Sequence, residues 1–459
     1  MLDKLLSSES LKVHFIGIGG VSMSALAAML KVRGYTVTGS DMKESKTTEY
    51  LKNQGISVYI GQCSENIKNN PDINIVCYTA AIKEDNPELS EARKQGLFCV
   101  ERCELLGAIM KKYKFPINIA GTHGKTTTTS MMSSVLIDAG VNPTVSVGGD
   151  YKKIGGNLKL GSSDYFVCEA CEYVESFLKF YPYISIILNV DLDHVDYYRD
   201  IEHVRSAFLK FANRTDEKGF TVLNNEDENC LKIKDSIKRT VYTFGYDEKA
   251  DCYAKDIEYI NGRPAFSVYY EGKQMGRIEL SVYGEHNILN SLSVILTALK
   301  LGIDFEIIKK GIKDFTGANR RFEYKGMYKG AEIIDDYAHH PIELETTLKS
   351  ANKKNAKRTF IVFQPHTYTR TRELLPDFIN TLKKADNLVV IDIYAAREKN
   401  PGNISPKDIT VKIPGARYIP AMEDAVKFLE DELREGDLLI TVGAGDVYKI
   451  GEALAKKDC

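Results

Sequence analysis

The chain carries no excess of either charge: 61 lysines and arginines face 63 acidic residues. That balance excludes the basic surface with which a protein neutralises nucleic-acid phosphates. No apolar run reaches about 18 residues, the length that crosses a bilayer, so no membrane insertion is expected. The opening "MLDKLLSSES" lacks the apolar core of a secretion signal, and a cytoplasmic location is the expectation. Nine cysteines, an odd number scattered along a long chain, speak against a disulfide framework. One C-x-x-C occurs, Cys168 to Cys171, but no second Cys or His pair completes a zinc site. A thioredoxin-like redox motif is the alternative there, and structural thiols are the default. Low-complexity segments and short internal repeats are absent.

Histidine is scarce as well, and its placement is informative. Of eight, only His203 falls in a stretch without other signals, an expected surface helix. His14, His123, His194, His286, His339, His340 and His366 all fall in segments that look functional on other grounds.

At roughly 150 residues per domain, 459 residues correspond to about three domains. The first segment alternates strand-like runs ("KVHFIGI", "YTVTGSD", "SVYIG", "INIVCYTAA") with helices such as "VSMSALAAMLKVRG", which predicts a parallel sheet. The charged "KKYKFP", residues 111–116, reads as a linker. A second segment opens on strand "PINIA" and helix "TTTTSMMSSVLIDAG" and continues through strands "YFVCEA", "ISIILNV" and "GFTVLNN". Three shorter alternating runs, "ADCYAKDIEYI", "AFSVYYEG" and "QMGRIELSVYG", predict a small antiparallel appendage before helix "EHNILNSLSVILTALKLG". After "FTGANRRFE" the alternation resumes, and a third domain is expected from about residue 318.

Two glycine-rich turns carry the chemistry. Gly17, Gly19 and Gly20 follow a strand and precede a helix, where a backbone without side chains admits a diphosphate. Asp41 at the end of the second strand keeps a dinucleotide cofactor open as a reading of this domain. The second turn, "GTHGKTTTT", is too short for the usual G-x-x-x-x-G-K-[ST] pattern: Ile119 stands where the first glycine belongs. Gly121 and Gly124 nevertheless suit backbone N–H groups folded around phosphate, with Lys125 as point charge and Thr126 or Thr127 offering a hydroxyl to Mg²⁺. Acids follow at later strand ends: Glu169 after "YFVCEA", and Asp191, Asp193 and His194 after "ISIILNV". Capping of the next helix is the plainer role for the two aspartates. Arg320 and Arg321 of "RRFE" match a clamp on a transferring phosphoryl group, or a solvated turn. "DDYAHHP" and "QPHTYTRTRE" crowd polar residues onto strand ends of the third domain, as a cleft requires.

These motifs, "HFIGIGG", "GTHGKTTTT", "ILNVDLDHVD", "EHNILN", "RRFE", "DDYAHHP" and "QPHTYTRT", occur in the order seen in the Mur ligases, and the chain resembles that family over nearly its whole length. The resemblance implies an α/β protein of three domains. A Rossmann-like N-terminal domain (1–114) would bind a UDP-sugar, and a P-loop-like central ATPase domain with a mixed sheet (115–317) would bind ATP. A Rossmann-like C-terminal domain (318–459) would take the amino acid and part of the ATP. The alanine-adding branch fits best. Sister ligases carry a lysine, carbamylated in use, soon after D-H-x-D, and here none occurs before Lys210. The double histidine of "DDYAHHP" is shared with the ligase that recycles a tripeptide, which is the alternative.

Under this resemblance Gly17, Gly19, Gly20, Ser40, Asp41, Thr79 and Arg102 would hold UDP-N-acetylmuramate. Gly121, Thr122, His123, Gly124, Lys125, Thr126 and Thr127 would hold the ATP phosphates. His286, Asn287 and Asn290 would meet adenine, Asp336 the ribose and Arg321 the γ-phosphate. Thr126, Glu169 and His194 would bind Mg²⁺. Tyr337, His339, His366 and Arg370 would surround L-alanine, with Lys125, His194, Arg321 and His339 as the catalytic group. A monomer or weak dimer is expected. Two departures stand out: "EACEY" where relatives often read "EADES", so Cys171 replaces an acid, and Thr367 where many carry arginine. Arg372 is a candidate to supply the missing carboxylate contact.

The implied chemistry is economical. An amine does not displace oxide from a carboxylate, whereas an acyl phosphate made from ATP offers phosphate as leaving group. Such a reaction needs positioning and charge neutralisation rather than a Ser or Cys nucleophile. A nicotinamide-dependent oxidoreductase would leave the Lys125 loop unexplained, and a nucleotide-gated switch would explain that loop alone.

Overall fold

The computed structural model describes residues 2, 6, 11–79, 81–195, 197–354, 356–396 and 398–457. Asp196, the last residue of the D-H-V-D stretch, lies outside them. The chain falls into two compact units: Met1–Ala254, Val268–Met275 and Leu289–Ile312 form the first, and Lys255–Ser267, Gly276–Ile288 and Lys313–Cys459 the second.

Three sheets organise the α/β fold. The first is parallel, its strands in the spatial order Ser57–Ile60, Thr36–Asp41, Lys12–Ile16, Ile75–Tyr78, Phe98–Glu101. Its strand order reverses beside Lys12–Ile16, which places the loop after that strand at the ligand-binding switch point of an open sheet.

The second sheet has ten strands and is mixed. Phe115–Ala120, which leads into the lysine loop, lies between Ile184–Ile187 and Tyr165–Glu169 and pairs with both in parallel. Phe220–Asn224 and Thr240–Gly245 extend the sheet in parallel on one side. Thr144–Tyr151 continues it on the other, followed by antiparallel Gly156–Lys159. The expected appendage lies at the end of this sheet: Cys252–Ile260 pairs with Thr240–Gly245, Phe244 opposite Cys252. Arg263–Tyr270 and Lys273–Glu279 follow through two-residue turns, Asn261-Gly262 and Glu271-Gly272, with all four residues at positive φ.

The last third of the predicted linker is strand. Phe115 and Pro116 already pair with Tyr165 and Phe166, which leaves residues 111–114 outside the sheet. Proline is tolerated there because it sits at the strand's start. Phe98–Glu101, Thr144–Tyr151 and Gly156–Lys159 are strands that the sequence reading did not pick out.

One apolar cluster underlies both sheets of the first unit. It joins Leu26, Leu30, Leu105 and Ile109 from helices of the first sheet to Phe166, Phe177, Phe180 and Phe208 around the second. The third sheet, in the second unit, runs Glu323–Tyr328, Ala331–Asp336, Leu438–Val442, Thr359–Phe363, Asn387–Val390, Arg417–Tyr418, and only its first pair is antiparallel. Its two faces bury separate cores, one around Phe363 and Phe378, the other around Leu429 and Leu439. No helix among the described residues is long and apolar enough to cross a membrane.

Candidate active site

The short loop is shaped by the next strand end. Asn189 Oδ1 accepts from His123 N at 2.8 Å, its Nδ2 donates to His123 O at 3.1 Å, and Thr122 Oγ1 accepts from Asp191 N at 2.9 Å. Gly121 (φ 147°) and Gly124 (φ 86°) adopt conformations that other residues resist. A Cβ at Gly124 would also lie 2.8 Å from Asn290 Oδ1. The helix Lys125–Asp138 begins here, its N-terminal amides facing the loop's interior.

Lys125 turns back into this cradle. Its Nζ donates to Thr122 O at 3.1 Å and to both oxygens of Glu172 at 3.0 and 2.9 Å. Burial is the largest single influence on Lys125 and would lower its pKa, but the charge and hydrogen bond of Glu172, with Cys171 and Glu169 nearby, together outweigh it and the net shift is upward. Burial likewise opposes ionisation of Glu172, and Lys125 and His194 overcome it, holding the carboxyl below its usual range. His194 (φ 53°) packs against Tyr173 with the rings tilted by 43°, its Nε2 3.7 Å from Glu172 Oε1.

Glu172 is the acid that the sequence reading missed. Glu169, three residues earlier, is the last residue of the strand Tyr165–Glu169, and its Oε1 accepts from Gly148 N at 2.6 Å. Thr126 Cγ2 approaches the adjacent Gly149, so Thr126 and Glu169 flank one two-glycine segment. Thr127 is buried, whereas Thr126 is half-buried, which favours Thr126 as the hydroxyl that reaches a cation. No three His, Cys, Asp or Glu side chains converge on a metal-sized site among the described residues. Two carboxylates and a hydroxyl around the loop are hard oxygen donors, and an ion that keeps waters and shares phosphate oxygens suits Mg²⁺ rather than an all-protein cage.

Cys168 and Cys171 do not form a redox pair of the thioredoxin kind. Burial pushes their pKa values up to about 12 and about 11, so neither offers a thiolate. Cys171 is thus a neutral group beside Glu172.

In the first sheet, Gly17 N and Ile18 N donate to Ser40 O at 2.8 and 2.9 Å, and Gly19 N donates to Asp41 Oδ2 at 2.8 Å. Asp41 therefore ties the turn to the second strand. The Ser40 hydroxyl is buried, donating to Glu88 Oε2 at 2.5 Å, so Ser40 shapes the turn through its carbonyl and not through its side chain. Thr79 Oγ1 accepts from Ala81 N. Arg102, half-buried at a helix start, acts electrostatically on Cys168 and Cys171, which sets it between the first sheet and the lysine-loop region of the same unit.

In the second unit, the two arginines of "RRFE" divide their work. Arg320 donates to Asp335 Oδ2, Gly445 O and Gly443 O at 2.8, 2.8 and 2.6 Å, and is consumed by structure. Arg321 lies over the Tyr337 ring at 5.3 Å, with Nη1 4.0 Å from Glu343. Asp336, buried, accepts from Ala338 N and Thr347 Oγ1 at 3.0 Å each. Desolvation pushes its carboxyl up to about 6, against the pull of Arg321 and these hydrogen bonds.

Beside it the aromatic residues cluster: Tyr337 to His339 at 5.5 Å, His339 to His366 at 5.6 Å, His366 to Tyr394 at 5.8 Å between ring centroids. His339 Nδ1 lies 3.0 Å from the Tyr337 carbonyl, which can only accept, so Nδ1 carries the proton and Nε2 the lone pair. His366 has the opposite tautomer, because Arg370 Nη1 donates to its Nδ1 at 3.2 Å. Burial lowers both imidazole pKa values, with His366 reaching about 4. Thr367 caps the helix Tyr368–Glu373 instead of facing the cluster, and Arg372 is exposed and paired with Glu373 at 3.1 Å. In the helix His286–Lys300, Asn287 Nδ2 donates to Tyr283 O at 2.7 Å, Asn290 meets Gly124, and His286 is exposed beside Gly284.

A glycine-lysine loop beside acids, and a histidine–arginine cluster at the strand ends of a third sheet, fit a multidomain nucleotide-dependent ligase architecture. Residues 12–114 match the Mur ligase family catalytic domain, 119–298 the Mur ligase middle domain, and 320–445 the Mur ligase glutamate ligase domain. The chain belongs to the Mur ligase family. It is 48% identical over 450 residues to the UDP-N-acetylmuramate–L-alanine ligase of Acetivibrio thermocellus, covering 97% of this chain and 95% of that one. The crystal structure of the UDP-N-acetylmuramate-alanine ligase of Thermotoga maritima superposes with a TM-score of 0.82 at 30% identity, covering 98% of this chain and 99% of that one. A murein peptide ligase from Psychrobacter arcticus shares the fold, with a TM-score of 0.75 at 22% identity over 97% of this chain and 98% of that one.

Proposed function

We propose that the chain ligates L-alanine to the carboxylate of UDP-N-acetylmuramate at the expense of ATP, a step of peptidoglycan precursor synthesis. The observation that carries this reading is the 48% identity to an alanine-adding ligase across 97% of the chain. Residues 1–114 would take the UDP-sugar on the turn at Gly17, Gly19 and Gly20, residues 115–317 the nucleotide, and residues 318–459 the amino acid. Peptidoglycan synthesis from a UDP-linked precursor places the work in the cytoplasm.

The carboxylate oxygen attacks the γ-phosphorus of ATP, and the bond to the β-phosphate oxygen breaks, giving an acyl phosphate and ADP. The alanine amine then adds to the acyl carbon, and the tetrahedral intermediate expels phosphate to leave the amide. Lys125 and Arg321 would neutralise charge on the moving phosphoryl group. Thr126, Glu169 and His194 would hold Mg²⁺, which when bound supplies charge neutralisation at the phosphates. His339, with its Nε2 lone pair, would receive the proton that the amine loses. Lys125 is positioned without substrate by Glu172, so the loop meets phosphate already organised.

Phosphate release tests this, measured with ATP and UDP-N-acetylmuramate against L-alanine, glycine, L-serine and the recycling tripeptide in parallel. Release with L-alanine that vanishes without the UDP-sugar is expected. Release with the tripeptide and none with L-alanine would move the chain to the recycling branch, and release with neither would sink the proposal.

A further inference from the structure

The geometry points to Tyr394 as the positioning residue that fixes the His366 imidazole for the amino-acid substrate. This rests on the reading above of His339, His366 and Arg370 as the amino-acid pocket. His366 follows the strand Thr359–Phe363, and Tyr394 follows Asn387–Val390. An isolated parallel bridge joins the two residues, with Thr367 N donating to Tyr394 O at 2.9 Å and Tyr394 N to Pro365 O at 2.8 Å. Their rings lie 15° from parallel with centroids 5.8 Å apart, an offset stack.

The back of the tyrosine is held as firmly as its face. A Cβ at Gly445 would lie 2.6 Å from Tyr394 Cγ and would collide with Gln364 Oε1. Gln364 cannot recede: its Oε1 accepts from Asp446 N and Val447 N at 2.8 and 3.1 Å, and its Nε2 donates to Asp446 at 2.9 Å. Glycine at 445 is what lets the ring rest against this backbone.

Two constraints then determine the His366 ring. The stack sets its plane, and Arg370, donating to Nδ1, sets which way round it sits. The proton is left on Nε2, a neutral donor next to a guanidinium. That pair suits the carboxylate of an α-amino acid. Burial, His339 and Arg370 all oppose a charge on His366 and only Glu398 favours one, so the donor stays neutral over the physiological range. Thr367 spends its hydroxyl on its helix cap, which leaves more of the carboxylate recognition to this pair.

The test uses the full-length enzyme with Tyr394→Phe and Tyr394→Leu. Steady-state kinetics would vary ATP, UDP-N-acetylmuramate and L-alanine separately. The phenylalanine variant keeps the ring and should stay within about twofold of the parent in every constant, whereas the leucine variant should raise KM for L-alanine by about tenfold with kcat and the other two KM values nearly unchanged. Nitrogen NMR of ring-labelled histidine should show His366 as a single Nε2–H tautomer in the parent and the phenylalanine variant, and as a mixture in the leucine variant, whose unstacked ring turns out of line with Arg370 and loses that bond. An unchanged KM for L-alanine, or an unchanged tautomer, in the leucine variant would overturn the assignment, as would a uniform loss across all constants. Tyr394→Met, which also lacks a ring plane, gives the same reading should the leucine variant not fold. A parent without alanine-dependent phosphate release would instead overturn the proposed function, so the two failures are distinct.

Discussion

Lys125 and Glu172 form a pair whose members are 16% and 3% exposed, so neither charge is satisfied by water if the other is removed. Breaking a buried ion pair from one side costs about 3–5 kcal/mol, because the remaining charge is left uncompensated. Lys125→Met is therefore expected to lose stability as well as ligation. Adding Glu172→Gln should restore the melting temperature and not the activity. Equal melting temperatures for the single and double variants would contradict the pairing. Asp336 makes a prediction of opposite sign. Its carboxyl is raised from 3.8 to about 6 in the folded protein, so between those values the folded state binds more protons. Stability therefore falls as pH rises through that window and remains lowered above it. Asp336→Asn removes this dependence, at the cost of one hydrogen bond at every pH. Relative to the parent, the variant should gain about 3 kcal/mol between pH 4 and pH 7.5 in urea unfolding, a two-unit shift converted at 1.36 kcal/mol per unit. A pH-independent difference would rule it out. Both sites also show what was legible at this scale. The lysine loop was, because its glycines, lysine and hydroxyls are neighbours in the chain. Glu172 was not: it reaches Lys125 across 47 positions, and the residues that follow it, Val174 and Glu175, leave the regular backbone at φ 48° and 55°.

Among the elements, alternation of apolar strands and amphipathic helices exposed the parallel sheets, since each buried strand reads as a short apolar run between turns. It missed Thr144–Tyr151 and Gly156–Lys159, whose "TVSVGGDY" and "GNLK" carry glycines and polar residues in place of a periodic apolar face. It also made a linker of residues 111–116, because proline usually marks a break and here begins a strand. The first glycine turn illustrates how one element depends on another. Gly39 sits on the second strand, and a Cβ there would lie 2.6 Å from Phe15 O and 2.7 Å from Ile18 Cδ1. Backbone on the neighbouring strand cannot yield cheaply, so Gly39→Ala is expected to displace the turn at 17–20. UDP-N-acetylmuramate binding by calorimetry should weaken by at least about tenfold, in line with the 1–3 kcal/mol cost of overpacking a core. Undiminished affinity would show that the turn tolerates the shift or takes no part in binding.

The molecule as a whole divides by its cores rather than by its sheets. In the first unit one apolar cluster extends beneath both sheets, and a smaller one gathers Ile16, Ile67, Val76 and Leu89 at the first. Polar ties run between the same elements: Arg33 Nη2 to Tyr113 Oη at 2.6 Å, Tyr113 Oη to Thr144 Oγ1 at 3.0 Å, Asn157 Nδ2 to Val21 O at 2.7 Å, and Lys179 to Glu104 at 2.9 Å. Gly107 packs so closely on the Lys179 carbonyl that any side chain there would overlap it. Sheets that share a core and cannot separate without exposing it should open together, as one cooperative unit. A ligand held only by the first sheet would then protect both. At a hundred times its dissociation constant, UDP-N-acetylmuramate stabilises the state that binds it by about 2.7 kcal/mol. Hydrogen exchange should show that increment in the slowest amides of Lys12–Ile16 and equally in those of Phe115–Ala120, the strand that feeds the lysine loop. Protection confined to the first sheet would mean that the two open independently despite the shared core. Equal protection would give the enzyme a physical means by which an occupied sugar site steadies the loop proposed to receive ATP, with no movement of either required.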